Sequence, residues 1–98
     1  IDYYQQSLAI NKQVHGDKPH PGIARSLMNL GHVYDGLGEY SLAIDYCQQS
    51  LAMLKQIYGD KPHPDIAGSL MGLGNAYDSL GEYERAIDYH QQSLAMLK

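Results

Sequence analysis

Five histidines and a single cysteine are the side chains in this sequence best suited to holding a metal ion. Zinc sites draw their Cys and His ligands from close pairs with characteristic spacings. His15 and His20 are five residues apart, but they flank a predicted helix end and a loop, so helical ligand geometry does not apply to them. The other histidines form no cluster with ligand spacing. We therefore expect neither a metal site nor a bound cofactor.

Cys47 is the residue whose type could serve as a catalytic nucleophile. A nucleophilic thiol needs a positioned base and an electropositive setting, and the neighbouring sequence supplies neither. Cys47 instead falls on the apolar stripe of a predicted helix, where a small packed thiol is the expected role. The sequence contains no Ser/His/Asp constellation and no glycine-rich phosphate loop after a strand. We expect no enzymatic activity.

These residues are positioned by a repeat of 43 residues that runs through the whole chain. Residues 1–43 align with residues 44–86 without a gap and with 30 identities, and residues 87–98 begin a third copy. A fixed period between about 20 and 50 residues is typical of repeat arrays. His20 and His63 are equivalent residues of this repeat and recur because their loop recurs. The chain begins and ends inside a repeat, so we expect it to be a piece of a longer array.

Helical periodicity dominates each copy of the repeat. The first apolar stripe has spacings of four and three residues, which predicts an amphipathic helix; its members are Ile23, Leu27, Leu30, Tyr34 and Leu37. Gly38 ends this helix, and a second one continues to about Tyr58, where Gly59 caps it. The pattern predicts five helices and no strands, at about 1–15, 21–37, 40–58, 64–80 and 83–98. We accordingly divide residues 1–98 into the second helix of a truncated repeat (1–15) and two repeats (21–58 and 64–98).

Two kinds of small residue recur at equivalent positions inside the helices. Gly31 and Gly74 lie in the middle of first helices, where a repeated glycine indicates the close approach of another helix. Ser50 and Ser93 lie on second helices and are expected to pack against a neighbouring helix.

Charge and composition exclude several classes of partner. The net charge is −4 and the seven basic residues are scattered singly, unlike the clustered basic surface of a nucleic-acid-binding protein. No apolar run approaches the roughly 18 residues that indicate a membrane span. One cysteine permits no internal disulfide, so the chain does not resemble an oxidised secreted scaffold. We expect a cytoplasmic protein that binds neither nucleic acid nor membrane.

The repeat resembles that of the tetratricopeptide (TPR) family. Matching residues in the first copy are Leu27, Leu30, Gly31, Tyr34, Gly38, Tyr40 and Ala43, with Leu27 where the consensus prefers Trp. The second copy matches with Leu70, Leu73, Gly74, Tyr77, Gly81, Tyr83 and Ala86. The standard unit has about 34 residues. The longer period and the HPxIA motif, at residues 20–24 and 63–67, are similar to those of kinesin light chains and nephrocystin-type proteins.

This resemblance implies an all-α, TPR-like α-solenoid, which is a right-handed superhelix of antiparallel helix pairs. First helices of such a solenoid line a concave groove. The family's groove positions fall on Arg25, Met28, Asn29, His32, Asp35 and Gly36 in the first copy, and on Gly68, Met71, Gly72, Asn75, Asp78 and Ser79 in the second. Asn29 and Asn75 match positions at which family members hydrogen-bond a peptide backbone. Only Arg25 is basic, so the carboxylate clamp of chaperone-binding relatives is not matched.

Two functions from different classes remain open. The first is a protein–protein interaction scaffold whose groove binds a peptide or a helix. The second is a structural, self-assembling repeat array without a dedicated ligand, which the near-identity of the copies favours. Differences between the copies at four groove positions favour the first function. Repeat arrays need capping helices at their ends and the sequence shows none, so we also expect self-association through uncapped ends.

Overall fold

The computed structural model of the chain describes residues 5–6, 9–10, 20–59 and 61–97. Four complete α-helices lie in this part of the chain: α1 (Pro21–Gly36), α2 (Tyr40–Tyr58), α3 (Pro64–Ser79) and α4 (Tyr83–Leu97). The described residues contain no strand, so the all-α prediction is confirmed. The fifth predicted helix, over residues 1–15, lies outside the described residues except for residues 5–6 and 9–10, which are helical.

A histidine side chain caps the start of both first helices. His20 and His63 have extended backbone, with φ of −146° and −150°, as expected for a residue that precedes proline. Nδ1 of His20 accepts a hydrogen bond from the N–H of Gly22, and Nδ1 of His63 accepts one from the N–H of Asp65, each at 3.0 Å. The His-Pro pair therefore supplies both the N-cap and the first helical residue, a role that the repeat pattern alone does not reveal.

A glycine with positive φ ends both first helices and turns the chain into the second. Gly38 has φ of 82° and Gly81 has φ of 83°, a conformation that side chains other than glycine rarely adopt. The N–H of Glu39 donates to the C=O of Tyr34 at 2.8 Å, and the N–H of Gly38 donates to the C=O of Asp35 at 3.1 Å. This pair of hydrogen bonds is the Schellman motif, and the equivalent pair ends α3.

Leu37 lies beyond the last residue of α1 and points to solvent. It is 59% exposed, and its repeat equivalent Leu80 is 45% exposed. The prediction that Leu37 belongs to the buried stripe is therefore wrong. The helical period no longer applies once the backbone enters the turn, so the apolar side chain at this position leaves the core.

Each first helix approaches its second helix closely at a glycine. A Cβ on Gly31 would collide with Sγ of Cys47 and would lie 3.2 Å from the C=O oxygen of Ala43, both on α2. A Cβ on Gly74 would lie 2.8 Å from the imidazole ring of His90 on α4. The prediction of close helix approach at the two glycines is confirmed. The four helices thus form two antiparallel hairpins, α1–α2 and α3–α4.

Two buried clusters of the core combine residues of both hairpins. One buried cluster combines residues of α1, α2 and α3, namely Ala24, Leu54, Ile66 and Leu70. The other combines residues of α2, α3 and α4, namely Cys47, Leu73, Tyr77 and Ala86. Helices α2 and α3 each contribute to both clusters, so together they join the two hairpins.

Buried serines bind helix backbone at equivalent places in the two hairpins. Oγ of Ser50 donates to the C=O of Ala24 at 2.7 Å, and Oγ of Ser93 donates to the C=O of Ala67 at 2.9 Å. Both serines are almost fully buried, so the prediction that they pack is confirmed. Ser50 also shares a hydrogen bond of 2.9 Å with the hydroxyl of Ser69 on α3, which links the two hairpins.

Stacked tyrosine pairs complete the equivalence of the hairpins. The rings of Tyr34 and Tyr46 are parallel, with centroids 5.5 Å apart, and those of Tyr77 and Tyr89 are parallel at 5.6 Å. Offset stacking of this kind adds to the free energy gained by burying the rings. The two hairpins therefore share this ring geometry.

Candidate functional site

The residues predicted to line the groove lie on α1 and α3, the first helices of the two hairpins, which contact each other. Exposed members are Arg25, Asn29, His32, Gly36, Met71, Asp78 and Ser79. Half-buried members are Met28, Asp35, Gly68 and Asn75, and Gly72 is buried. We call the surface formed by these residues the α1–α3 face.

Two polar contacts join α1 to α3 near opposite ends of the α1–α3 face. Nε of Arg25 donates to Oδ2 of Asp65 at 3.1 Å. Near the other end, Oγ of Ser79 donates to the C=O of Asn75 at 3.0 Å and approaches Oδ1 of Asp35 at 3.5 Å. The Arg25 side chain is 56% exposed, so its ion pair contributes at most about 1 kcal/mol to stability. These contacts align the helices but leave the face open to solvent.

Two side chains of α1 lie over glycines of α3. Sδ of Met28 is 2.8 Å from the position that a Cβ on Gly68 would occupy. Cε1 of His32 is 3.2 Å from the equivalent position on Gly72. Met28 and His32 therefore fill the space that the missing side chains leave. Part of the predicted groove is a helix–helix contact, and its free surface is smaller than the sequence mapping indicates.

Two carboxylates dominate the electrostatics of the α1–α3 face. Within the described residues neither Asp35 nor Asp78 forms an ion pair. Arg25, the only Lys or Arg among the predicted groove residues, is engaged by Asp65. The charges left without a counterion are therefore negative, and the face attracts cationic groups.

Cys47 lies behind the face, in contact with the glycines where α1 and α3 meet α2. It is fully buried, and burial raises the pKa of its thiol to about 12, with a smaller contribution from the Asp35 carboxylate. The thiol is therefore protonated near neutral pH and does not act as a nucleophile. In the described part of the chain, no three His, Cys, Asp or Glu side chains converge as metal ligands.

Asp65 belongs to this face although the sequence mapping did not include it. From sequence, Asp65 is a carboxylate in the first turn of α3, where the helix dipole favours it. In the structure it also accepts the hydrogen bond from Arg25, 40 residues earlier in the chain. Both positions differ between the copies, since Gly22 replaces Asp65 and Gly68 replaces Arg25. That coupled difference is the one signal by which the ion pair could have been found.

Comparison with known proteins gives a family match over the whole chain. A tetratricopeptide repeat model matches residues 1–56 and, in a second overlapping match, residues 38–98. No curated protein matches the sequence. Among the helices described in the structure, none has the length and apolar character needed to cross a membrane.

Proposed function

The chain belongs to the tetratricopeptide repeat family, whose non-enzymatic repeats generally mediate protein–protein interaction, and we propose that its α1–α3 face binds a peptide or helix of a partner protein. The observation that carries this proposal is where the two copies differ. Four of the six groove positions differ between the copies, compared with nine of the other 37 positions of the repeat. A surface that only extends a rod has no reason to diversify at its groove.

Exposed and half-buried groups on the α1–α3 face indicate the chemistry of the ligand. Asn29 and Asn75 carry amides that can both donate to and accept from a peptide backbone. Met71 is 43% exposed and offers an adaptable apolar contact. Asp35 and Asp78 have no basic partner among the described residues. The ligand we propose is a peptide segment that combines an apolar side chain with one or two Lys or Arg residues.

The experiment that tests this proposal is a selection of random dodecapeptides, displayed on phage, against the immobilised chain. We expect enriched peptides to carry Lys or Arg beside an apolar residue. The double variant Asp35→Asn/Asp78→Asn is expected to bind them about tenfold more weakly, which corresponds to about 1.4 kcal/mol.

A matched control is available on the second helices. Asp45 and Asp88 are equivalent, exposed carboxylates of α2 and α4, so Asp45→Asn/Asp88→Asn removes the same charge away from the face. Failure to enrich any peptide would overturn the proposal. So would equal weakening by the two double variants.

The second candidate function is a structural array without a dedicated ligand. The 30 identities between the copies support it, since identical units extend a solenoid by repeating one interface. Peptide selection separates the two candidates, because an array of this kind enriches no peptide whose binding depends on Asp35 and Asp78.

Other features of the chain support a particular type of TPR repeat, the repeat boundaries and a cellular compartment. The 43-residue period and the His-Pro caps of α1 and α3 support long TPR repeats of the kinesin light chain and nephrocystin type. Identical caps and turns support repeats at 21–58 and 64–98, with 1–15 as the second helix of a truncated repeat. The single, buried cysteine supports a reducing, cytoplasmic compartment.

A further inference from the structure

Leucine side chains are exposed where each hairpin turns from its first helix into its second. Leu37, Leu42 and Leu80 are 59%, 41% and 45% exposed. Leu37 and Leu80 are equivalent in the 43-residue repeat, and each lies directly before the glycine with positive φ. We call residues 35–42 and 78–85 the hairpin tips. Large apolar side chains gathered at one end of a molecule indicate a surface that binds a partner.

The exposure of these leucines is a property of the repeat itself. Leu37 has the second hairpin packed beside its own, and yet it is more exposed than Leu80. A Cβ on Gly36 or on Gly81 would meet no atom of the described residues within 4 Å. A neighbouring hairpin therefore does not bury this position, and the surface stays open to a ligand.

Hydrogen bonds of the turns hold the backbone of both leucines in one conformation. Leu37 has φ of −87° and ψ of −2°, and Leu80 has φ of −79° and ψ of −7°. The N–H of Leu37 donates to the C=O groups of Val33 and Tyr34, and the N–H of Leu80 donates to the C=O of Ala76, all at 3.1 Å. Backbone that is already ordered costs no further ordering when a ligand binds, which favours affinity.

The two hairpin tips lie side by side, at the end of the α1–α3 face that carries Asp35 and Asp78. Oγ of Ser79 approaches Oδ1 of Asp35 at 3.5 Å. Leu80 follows Ser79 directly, and Leu37 lies two residues after Asp35. A ligand that contacts the carboxylates of the face therefore also reaches the exposed leucines.

The hairpin tips carry a charge equal to the net charge of the whole chain. Their charged residues are five carboxylates and one guanidinium, at Asp35, Glu39, Asp78, Glu82, Glu84 and Arg85. The resulting charge of −4 equals that of all 98 residues, and Arg85 is engaged by Glu82 at 3.7 Å. The dipoles of the two helices of a hairpin oppose each other at the tip, so the side chains decide the sign. The tips therefore attract cationic groups.

We propose that the hairpin tips bind a basic segment of a partner protein, with Leu37 and Leu80 contacting an apolar side chain of that segment and the tip carboxylates contacting Lys or Arg residues beside it. The proposal rests on the function proposed above and extends it, since the groove positions mapped from sequence do not include these leucines. The occupant is a protein segment, because negative charge at the tips repels nucleic acids and anionic membranes.

Packing on the rest of the α1–α3 face also favours the tips as the place of the apolar contact. Met28 and His32 of α1 fill the space over Gly68 and Gly72 of α3. The middle of the face is therefore occupied by the protein's own side chains. The ligand crosses the ends of α1 and α3 instead, where no described residue covers the leucines.

Fluorescence anisotropy with three labelled dodecapeptides tests the chemistry of the ligand on the whole 98-residue chain. One peptide alternates Lys with Leu, the second alternates Lys with Ser, and the third alternates Glu with Leu. We expect the Lys/Leu peptide to bind about tenfold more tightly than either of the others, and added salt to weaken it. Equal affinity for the Lys/Leu and Lys/Ser peptides would overturn the proposal, because attraction between charges alone would then explain the binding.

A pair of leucine substitutions tests the place of the apolar contact. Leu37→Ser/Leu80→Ser is expected to weaken the Lys/Leu peptide about tenfold and to leave the affinity for the Lys/Ser peptide unchanged. Both leucines are exposed, so this variant should keep the helical circular dichroism of the native chain. The matched control is Ile87→Ser/Leu94→Ser, which removes two aliphatic side chains that are similarly exposed on α4. An equal effect of the two double variants contradicts the proposal.

The charge of the tips is tested outside the α1–α3 face. Glu39 and Glu82 are equivalent, exposed carboxylates of the two tips. We expect Glu39→Gln/Glu82→Gln to weaken the Lys/Leu peptide about fivefold, whereas Asp45→Asn/Asp88→Asn, on the second helices, should leave its affinity unchanged. The proposal fails if these two variants bind the peptide alike.

Asp35→Asn/Asp78→Asn separates this inference from the proposed function. If binding of the Lys/Leu peptide depends on Asp35 and Asp78 but not on Leu37 and Leu80, the inference fails and the proposed function stands. If none of the three peptides binds, the inference fails as well. Phage selection does not depend on these three sequences, so it then decides the proposed function by itself.

Discussion

The first helices of the two hairpins, α1 and α3, have nearly the same inner face and different outer faces. Leu30 and Leu73, on the inner faces, are both fully buried, and the tyrosines at 34 and 77 stack in the same geometry. On the outer faces, Arg25 of α1 has Gly68 as its counterpart in α3. Core contacts thus tolerate little change between copies, whereas the α1–α3 face admits changes in charge and size.

Identical residues in the two hairpins nevertheless meet different neighbours. Gly31 approaches Cys47 and backbone of α2, whereas Gly74 approaches the imidazole of His90 on α4. Ser50 binds both a carbonyl and Ser69, whereas the structure shows Ser93 bound to the carbonyl of Ala67. The same substitution made at equivalent positions of the two hairpins therefore separates two contributions to stability, that of the residue itself and that of its neighbours.

Truncation of the equivalent core leucines is expected to have the largest effect. Leu30→Ala and Leu73→Ala each remove a side chain that is 0% exposed and should lower the free energy of unfolding by about 2–5 kcal/mol. Urea denaturation followed by circular dichroism measures the loss. Leu37→Ala is the control and should change stability by less than about 0.5 kcal/mol. A loss below about 1 kcal/mol for either core leucine would show that the inner faces are not equivalent in energy.

The two helix glycines should respond differently to the same methyl group. Gly31→Ala places a Cβ against Cys47 and the Ala43 carbonyl, and overpacking of this kind costs about 1–3 kcal/mol. The three atoms nearest to a Cβ on Gly74 all belong to the ring of His90, which can rotate, and the higher helix propensity of Ala offsets the contact. We expect thermal unfolding to show a destabilised Gly31→Ala and a nearly unchanged Gly74→Ala.

The control for Gly31→Ala removes the side chain that the new methyl group would contact. Adding Cys47→Ala to Gly31→Ala should recover part of the lost stability, because Sγ is the nearest atom to the new Cβ. Equal destabilisation by Gly31→Ala and Gly74→Ala would mean that the two hairpins adjust their spacing to the same extent.

Cys47 in the first hairpin should make the stability of the chain sensitive to alkali. The thiol pKa is raised to about 12 in the folded chain, whereas an unfolded thiol ionises near pH 8.5. The stability that the buried, protonated thiol contributes to the folded chain is fully present below about pH 8.5. It is lost as the pH rises toward 12, by about 1.4 kcal/mol for each pH unit. From pH 8.5 to 10, the native chain should lose about 2 kcal/mol more stability than Cys47→Ala.

Urea denaturation at the two pH values measures this difference. Effects of pH that do not involve Cys47 are common to both proteins, so they cancel when the native chain is compared with Cys47→Ala. Parallel loss of stability in the two proteins would show that the Cys47 thiol ionises in the folded state as easily as in the unfolded one.

The buried serines should give the smallest difference between the hairpins. Ser50→Ala removes hydrogen bonds to the Ala24 carbonyl and the Ser69 hydroxyl and should cost about 1–3 kcal/mol. Ser93→Ala removes its bond to the Ala67 carbonyl and should cost about 0.5–1.5 kcal/mol. Urea denaturation of Ser50→Ala/Ser69→Ala provides the check, because removing both hydroxyls should restore some of the stability lost in Ser50→Ala.

Sequence reasoning located the helices because their ends depend on local residues. Pro21, Gly38 and Gly59 act within a few positions of themselves, so the predicted ends lie within about one residue of the observed ones. The placement of Leu37 was wrong because periodicity does not indicate where a stripe leaves the core. Mapping by family resemblance assigned the groove positions to α1 and α3, but it could not indicate which of them the helices would cover.

The partial covering of the α1–α3 face depends on pairs far apart in sequence. Met28 reaches Gly68 and Arg25 reaches Asp65 across about one full repeat. Such pairs depend on how closely two first helices approach, which is set by the glycines of the later copy. A single sequence indicates that these glycines differ from their counterparts, but not which side chain occupies the space they leave.

The pattern of helix contacts has a consequence for how the chain folds. Within the described residues, contacts join only α1 with α2, α2 with α3, α3 with α4, and α1 with α3. The helices in contact are therefore adjacent along the chain or separated by one helix, and helical chains of this kind fold in microseconds to milliseconds. Either hairpin can form first and serve as the nucleus on which the other docks. Lengthening the array would then add stability in steps without slowing the formation of that nucleus.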